Sequence, residues 1–248
     1  MKFFTTILST ASLVAALPAA VDSNHTPAAP ELVARSPIRR RIPGFDISGW
    51  QPTTDFARAY ANGDRFVYIK ATEGTTFKSS AFSRQYTGAT QNGFIRGAYH
   101  FAQPAASSGA AQARYFASNG GGWSKDGITL PGALDIEYNP NGATCYGLSQ
   151  SAMVNWIEDF VTTYHGITSR WPVIYTTTDW WTQCTGNSNR FANRCPLWIA
   201  RYASSVGTLP NGWGFYTFWQ YNDKYPQGGD SNWFNGDASR LRALANGD

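Results

Sequence analysis

The chain has 248 residues, 20 Lys and Arg against 16 Asp and Glu, and a net charge of +4. The excess is local: residues 1–41 carry Lys2, Arg35, Arg39, Arg40 and Arg41 against Asp22 and Glu31, and the remainder holds 15 basic and 14 acidic side chains. A pI near 9.0 therefore implies no nucleic-acid partner, which would need a concentrated basic stripe.

Taken in chain order, Lys2 precedes an apolar stretch through Phe3, Phe4, Ile7, Leu8 and Leu13 to Ala16, and Leu17-Pro18-Ala19-Ala20 closes it. This is signal-peptide form over residues 1–20, too short to anchor in a membrane, and no membrane span follows. Residues 21–41, rich in Pro and Ala and ending in Ser36-Pro37-Ile38-Arg39-Arg40-Arg41, read as a pro-segment cut after Arg40 or Arg41. The alternative is an arm whose arginines bind an acidic surface. Such processing suggests a secreted, extracellular eukaryotic protein, with a fungal one first among them.

Residues 42–248 are enough for one large core and fall within the usual size of one α/β barrel domain. Strand and helix signals alternate along it. Gly44–Ser48 opens, a helix near Thr54–Ala61 follows, then a strand over Phe66–Lys70, a helix near Ser80–Gln91, a strand over Ile95–Phe101 and a helix near Gly109–Ser118. Leu130–Glu137 reads as the next strand. Met153, Trp156, Ile157, Phe160 and Tyr164 then recur at helical spacing from a start near Ser149. Val173–Thr176, Leu197–Ala200, Phe215–Gln220 and Asn232–Phe234 complete eight strands with shorter connections. The expected fold is α/β, an irregular (β/α) barrel of TIM-barrel type with fewer than eight helices and some antiparallel pairing among the last strands.

The chemistry points to the run ending Leu134-Asp135-Ile136-Glu137. Residues i and i+2 of a strand face one way, about 6.6 Å apart, so both carboxyls share a side of the sheet. Two such groups in a partly buried cleft do not both ionise freely, and one is expected to hold its proton near neutral pH. A proton donor beside a carboxylate suits glycoside hydrolysis. Other polar residues fall at the carboxyl ends of strands, where barrels place their sites: Asp46, Lys70 with Glu73, His100 and Gln220. Aromatics make up 15% of the chain, and their faces stack on sugar rings as readily as they fill a core. The three histidines, His25, His100 and His165, are scattered and no CxxC occurs, so no metal or cofactor is implied. Cys145, Cys184 and Cys195 allow one disulfide with one thiol left over, and spacing alone does not choose the pair.

Each acid also has a plainer reading: Asp46 as a turn cap, Asp135 or Glu137 in an ion pair with Arg96, and Asp230 as a turn residue after Gly228-Gly229. Lys70 reads as a partner that holds a carboxylate, and His100 as a hydrogen-bonded barrel residue.

Gly44-Phe45-Asp46-Ile47-Ser48, Lys70-Ala71-Thr72-Glu73-Gly74, Gly97-Ala98-Tyr99-His100-Phe101, Leu134-Asp135-Ile136-Glu137 and Asp230-Ser231-Asn232-Trp233-Phe234-Asn235-Gly236 together resemble glycoside hydrolase family 25, the Chalaropsis-type lysozymes. The resemblance spans Ile42–Asp248. It implies an N-acetylmuramidase that cuts the β-1,4 bond between N-acetylmuramic acid and N-acetylglucosamine in bacterial peptidoglycan. It implies Glu137 as proton donor, Asp135 as its partner carboxylate, and Asp46 and Asp230 as further acids of the cleft. Tyr99, Lys70, Tyr175, Trp198 and Gln220 match the substrate groove more loosely. The resemblance also favours a Cys145–Cys184 disulfide, which leaves Cys195 unpaired.

On this reading Glu137 protonates the glycosidic oxygen, with its pKa raised by Asp135 and limited solvent access. Asp135 acts as a nucleophile if the carboxyls lie about 5–5.5 Å apart, or it orients the substrate's own 2-acetamido group; a gap of about 6.5–9.5 Å would admit a water instead. Retention, by the substrate-assisted route, is the expectation, with a bell-shaped pH profile peaking at acidic to near-neutral pH. The alternatives are a chitinase-like or glucosaminidase hydrolase, whose longer motif would put an acid where Ala133 stands, and a noncatalytic carbohydrate-binding protein. A monomer is expected.

Overall fold

A computed structural model describes residues 41–248. The signal-peptide and pro-segment readings, apart from Arg41, lie outside the described residues. The strands are β1 (Ile42–Ile47), β2 (Phe66–Glu73), β3 (Phe77–Lys78), β4 (Ile95–Phe101), β5 (Ala133–Asp135), β6 (Val173–Thr176), β7 (Leu197–Ala200), β8 (Phe218–Asn222) and β9 (Asp230–Phe234). The helices are α1 (Phe56–Ala61), α2 (Phe82–Gln91), α3 (Gly109–Phe116), α4 (Gln150–Thr168), α5 (Thr178–Thr185) and α6 (Ala238–Asn246).

Eight strands close a barrel. β1, β2, β4, β5, β6, β7 and β8 pair in parallel in that order, and β9 joins β8 to β1 antiparallel to both. β3 is a short antiparallel flap on the end of β2. Strand alternation sorts the side chains into two layers. Phe66, Tyr68, Val173, Tyr175, Trp198, Phe218 and Phe234 form the cluster inside the barrel, closed at its lower end by Leu241 and Ala245 of α6. Their neighbours Phe45, Ile47, Val67, Ile69, Leu134, Ile136, Leu197 and Ile199 face outward under the helices.

Local chemistry sets the helices. The side chains of Asp55, Ser108, Ser149, Thr177 and Asp237 each cap a helix by accepting a backbone N–H three residues on. Helix α4 buries Met153, Trp156, Ile157, Phe160, Val161 and Tyr164 along one stripe and ends at Ser169 in the left-handed conformation. It meets α3 at Gly109, where a side chain would run into the backbone of Trp156 and Phe160.

The strand expected over Leu130–Glu137 contracts to Ala133–Asp135. Pro131 has no N–H for the ladder, and the Gly132 N–H is drawn off to the Tyr164 hydroxyl at 2.9 Å. The strand expected at Phe215–Gln220 begins instead at Phe218 and runs to Asn222; Phe215 stands 65% exposed. The helix expected through Ser118 ends at Phe116 and passes into a wider π-type turn over Ala117–Gly121. Helices α5 and α6 and the flap β3 were not read from the sequence. Cys145 and Cys184 are joined across 39 residues, tying the segment after β5 to α5, and Cys195 is a buried free thiol.

Closing a loop of this length removes about 4 kcal/mol of unfolded-state entropy on the chain-entropy model. The Cys145→Ser/Cys184→Ser double variant should therefore lose about 2–4 kcal/mol of stability, measured as a lower urea midpoint, with an unchanged far-UV spectrum at zero denaturant.

Candidate active site

Three of the four acids sit at strand ends that share one rim. Asp46 lies near the end of β1 and Asp135 ends β5. Because β9 runs antiparallel, its first residue, Asp230, reaches the same rim and stands directly opposite Asp46 in the ladder. Glu137 lies two residues past Asp135. The Ile136 N–H donates to the Tyr175 carbonyl at 3.0 Å, so the chain stays extended along β6, and with Ile136 packed outward Glu137 turns to the same side as Asp135. The turn into β9 needs glycine: Gly229 has φ +87°, and a side chain there would strike the Asp46 carbonyl.

Two amides hold Asp46 from below. Gln220 Nε2 donates to Asp46 Oδ2 at 2.8 Å and to Asp230 Oδ2 at 3.2 Å, while Asn232 Nδ2 donates to the same Asp46 oxygen at 2.7 Å. Neither amide is free to flip. Gln220 Oε1 accepts from the Tyr175 and Tyr202 hydroxyls at 2.8 and 3.0 Å, and Asn232 Oδ1 accepts from Trp198 Nε1 at 2.7 Å. Hydroxyls and an indole N–H serve here as donors, which fixes which end of each amide faces the carboxylates.

Burial raises every one of these acids, and neighbouring carboxylates add to it. Asp46 is pushed up to about 8, by burial first and by Asp230 second, with the Gln220 and Asn232 hydrogen bonds pulling the other way. Asp230 is pushed up to about 6, chiefly by burial. Asp135 is raised well above the ordinary carboxylate range by burial and by Glu137, against the opposing charge of Lys70. Glu137 is raised by burial too, but a hydrogen bond with Asp135 offsets part of this. The sequence reading put the raised pKa on Glu137 and left Asp135 ionised. Both are raised here; Asp135, 6% exposed at the strand end, is the deeper of the two, and Glu137 is half-buried nearer the opening. Asp135 Oδ1 is buried and accepts no hydrogen bond.

The remaining expected site residues divide by depth. Lys70 pairs with Glu73 at 2.7 Å and lies 4.8 Å from the Phe101 ring centre, and Gln103 Nε2 holds the other Glu73 oxygen at 2.9 Å. Tyr99 is surrounded by Asp46, Asp135, Asp230 and Glu137, whose charges, after burial, raise its hydroxyl. Trp198 lies beneath the acids, 2% exposed and stacked on Tyr68 at 4.8 Å. His100 is fully buried outside the barrel wall: Gln112 Oε1 also accepts the Gln103 N–H, so His100 Nε2 donates to it at 2.9 Å and Nδ1 accepts from Thr72 at 2.8 Å. Burial lowers its pKa to about 4, which keeps the ring neutral.

The plainer readings of the acids do not describe this arrangement. Arg96 is engaged with Thr90, Thr129 and Asp126, and Asp46 spends its oxygen on two amides rather than on a turn. Asn232, Tyr202 and Gln103 join the site without having been singled out as site residues, while Glu73 was read beside Lys70. Of these, Asn232 was findable, since it lies two residues from Asp230 on the same strand face.

The family model for glycosyl hydrolases family 25 matches residues 45–230. The chain belongs to glycosyl hydrolases family 25. An N,O-diacetylmuramidase of Arthroderma benhamiae is 58% identical over 206 residues, covering 83% of this chain and 87% of that one. The N,O-diacetylmuramidase of a Chalaropsis species is 54% identical over 210 residues, 83% of this chain and all of that one. Among solved structures, a muramidase from Trichobolus zukalii superposes with a TM-score of 0.82 at 62% identity, over 84% of this chain and all of its own. A family 25 lysozyme from Aspergillus fumigatus does so with the same score at 57% identity, over 83% and 99% of the two chains. The barrel architecture is thus that of the family 25 lysozymes.

A carboxyl raised from 3.8 to about 8 destabilises the fold progressively as pH climbs from 4 to 8, because the unfolded chain ionises freely and the native one does not. Asp46→Asn should stabilise the fold at pH 7 by about 1–2 kcal/mol, seen as a higher thermal midpoint, while the gain disappears near pH 2, well below the unfolded value of 3.8, where the group is protonated in both states. Calorimetry at the two pH values reads the difference.

Proposed function

We propose that the protein is a secreted lysozyme, an N-acetylmuramidase that hydrolyses the β-1,4 bond between N-acetylmuramic acid and N-acetylglucosamine in bacterial peptidoglycan. Membership of glycosyl hydrolases family 25 and muramidase relatives above 50% identity support the reaction class. The observation that carries the residue roles is the hydrogen-bonded Asp135–Glu137 pair, one carboxyl deep and one near the opening, in a rim of four acids. Residues 1–20 serve as the signal peptide and 21–41 as the pro-segment in this reading, and the mature domain acts as an extracellular monomer without a cofactor. Among the described residues no helix is long and apolar enough to cross a membrane.

The chemistry follows from where one proton sits. In the free site Asp135 holds it. A substrate acetamido N–H offered to the unpartnered Asp135 Oδ1 stabilises the ionised form of that carboxyl, and the proton passes along the existing hydrogen bond to Glu137. Glu137, closer to the opening, then protonates the departing glycosidic oxygen. The acetamido oxygen attacks the anomeric carbon as the bond breaks, and Asp135 stabilises the ring so formed. Glu137, now ionised, takes a proton from water for the second displacement. Configuration at the anomeric carbon is retained. Tyr99, Lys70, Tyr175 and Gln220 line the acids and hold the sugar, while Trp198 supports them through Asn232.

Incubation with purified peptidoglycan and with chitin, followed by mass spectrometry of the new reducing ends, tests the reaction. Muramic acid ends are expected; N-acetylglucosamine ends would instead assign a glucosaminidase or chitinase. Glu137→Gln should lower kcat by at least about 10³-fold with the fold intact by circular dichroism; retained turnover would remove Glu137 from its role.

Lys70 lowers both carboxyls of the pair through its charge. Removing that charge in Lys70→Met raises both, so each limb of the bell-shaped pH profile should move to higher pH together. A profile shifted down, or one limb moving alone, contradicts the assignment of the bell to this pair.

A further inference from the structure

All ten tryptophans lie among the described residues, and nine are buried or half-buried; Trp50 alone is 88% exposed. An indole left in water forgoes one of the largest burial gains a side chain offers. A mobile loop would explain that exposure, but this loop is fastened. The Gln51 N–H donates to the Ser48 carbonyl at 3.2 Å, the Ser48 N–H to Gln51 Oε1 at 2.9 Å, and the Trp50 N–H to Ser48 Oγ at 3.3 Å. From α2, Gln85, only 2% exposed, donates Nε2 to the carbonyls of both Ser48 and Gln51 at 2.8 and 2.9 Å, and Arg84 holds the Pro52 carbonyl at 2.6 Å.

The turn also lies on the rim of the acids. It follows β1 four residues after Asp46, with Gln51 against Gly228 at the turn that leads into Asp230. On its other side a methyl placed on Gly49 would stand 3.8 Å from Ser79 Oγ, just beyond the flap β3. Phe77 of that flap is 47% exposed, and its ring centre lies 5.4 Å from Nζ of Lys70 inside the site. Lys70 and Phe77 thus border the acid cluster on the β2 side of the rim, and the Trp50 turn stands beside the segment that follows the flap.

We propose that Trp50 is a stacking platform for a sugar of the glycan strand beyond the bond being cut, so that the protein grips its polymer outside the four acids. This rests on the muramidase reading. The occupant is a pyranose because the site is continuous with a glycan cleft and offers a single flat apolar face of the size of one ring. Its fixed position means that little ordering is lost when a sugar settles on it.

The test compares the wild type, Trp50→Ala and Trp50→Phe on intact peptidoglycan and on the soluble tetrasaccharide cut from it. The expected result is a loss of kcat/KM for Trp50→Ala of about five- to tenfold on the polymer, several times larger than its loss on the tetrasaccharide and mostly recovered in Trp50→Phe. In the inactive Glu137→Gln protein, Trp50→Ala should release a similar factor of protein from sedimented peptidoglycan. Equal losses on both substrates, or no loss on the polymer, overturn the proposal while leaving the muramidase reading in place. A change from dimer to monomer in sedimentation on replacing Trp50 would assign the indole to self-association and also overturn it. A wild type that cuts neither substrate removes both readings.

Discussion

Four carboxyls share one mouth of the barrel, and their repulsion is the constraint on which the arrangement around them depends. Water would normally relieve it, but Asp46 and Asp135 are almost fully enclosed. The relief comes from two amides whose oxygens are occupied by Tyr175, Tyr202 and Trp198, so that their N–H ends face Asp46 and Asp230. A buried polar network of this sort rigidifies a site only when each member is satisfied. Gln220 and Asn232 meet that condition, and they make Asp46 an acid whose charge is opposed but whose position is fixed.

The antiparallel last strand is what makes the cluster possible. A parallel eighth strand would bring its carboxyl end to the rim, and Asp230 would lie at the far end. Reversal of β9 places its first residue opposite Asp46 and aligns Asn232 one pleat deeper, within reach of Trp198. The cost is a sharp turn before Asp230, accommodated by Gly228 and Gly229, both with positive φ. Below the acids, the ring cluster of Tyr68, Trp198 and Phe218 packs the barrel interior.

Much of this was legible in the sequence because the signals were local. Short apolar strand signals gave β4, β6 and β7 to the residue and β1 and β2 to within three residues at either end, and the 3.6-residue stripe from Met153 to Tyr164 gave α4. What escaped depended on partners distant in sequence. Pro131 and the hydrogen bond from Gly132 to Tyr164 cut β5 short. Helix α5 is rich in Thr and Trp, weak helix formers, and is held by its Thr177 cap and by the burial of Trp180 and Trp181 against the core. At the site, chemistry-bearing residue types announced the acids, and the two-residue spacing from Asp230 offered Asn232 as a neighbour without saying what it holds. Its role comes from lying one pleat below Asp230, diagonal to Asp46 across the β1–β9 ladder. Spacing put Asp135 and Glu137 on one side, and it carried no information on which lay deeper.

That last point bears on how such a pair works. If Glu137 held its proton firmly in the free protein, substrate would add nothing to the acid's readiness. On the proposed reading the proton rests on the deeper Asp135, whose Oδ1 meets no donor among the described residues. A buried acceptor without a donor is costly, and a ligand N–H that fills the vacancy favours the carboxylate over the acid. On the proposed reading, binding therefore arms the catalyst, because the acetamido group that must be oriented for attack also drives the proton outward to Glu137. A sugar lacking that group would lose both the internal nucleophile and the acid in its protonated state, which ties specificity for N-acetylated sugars to the burial of Asp135 at the end of β5.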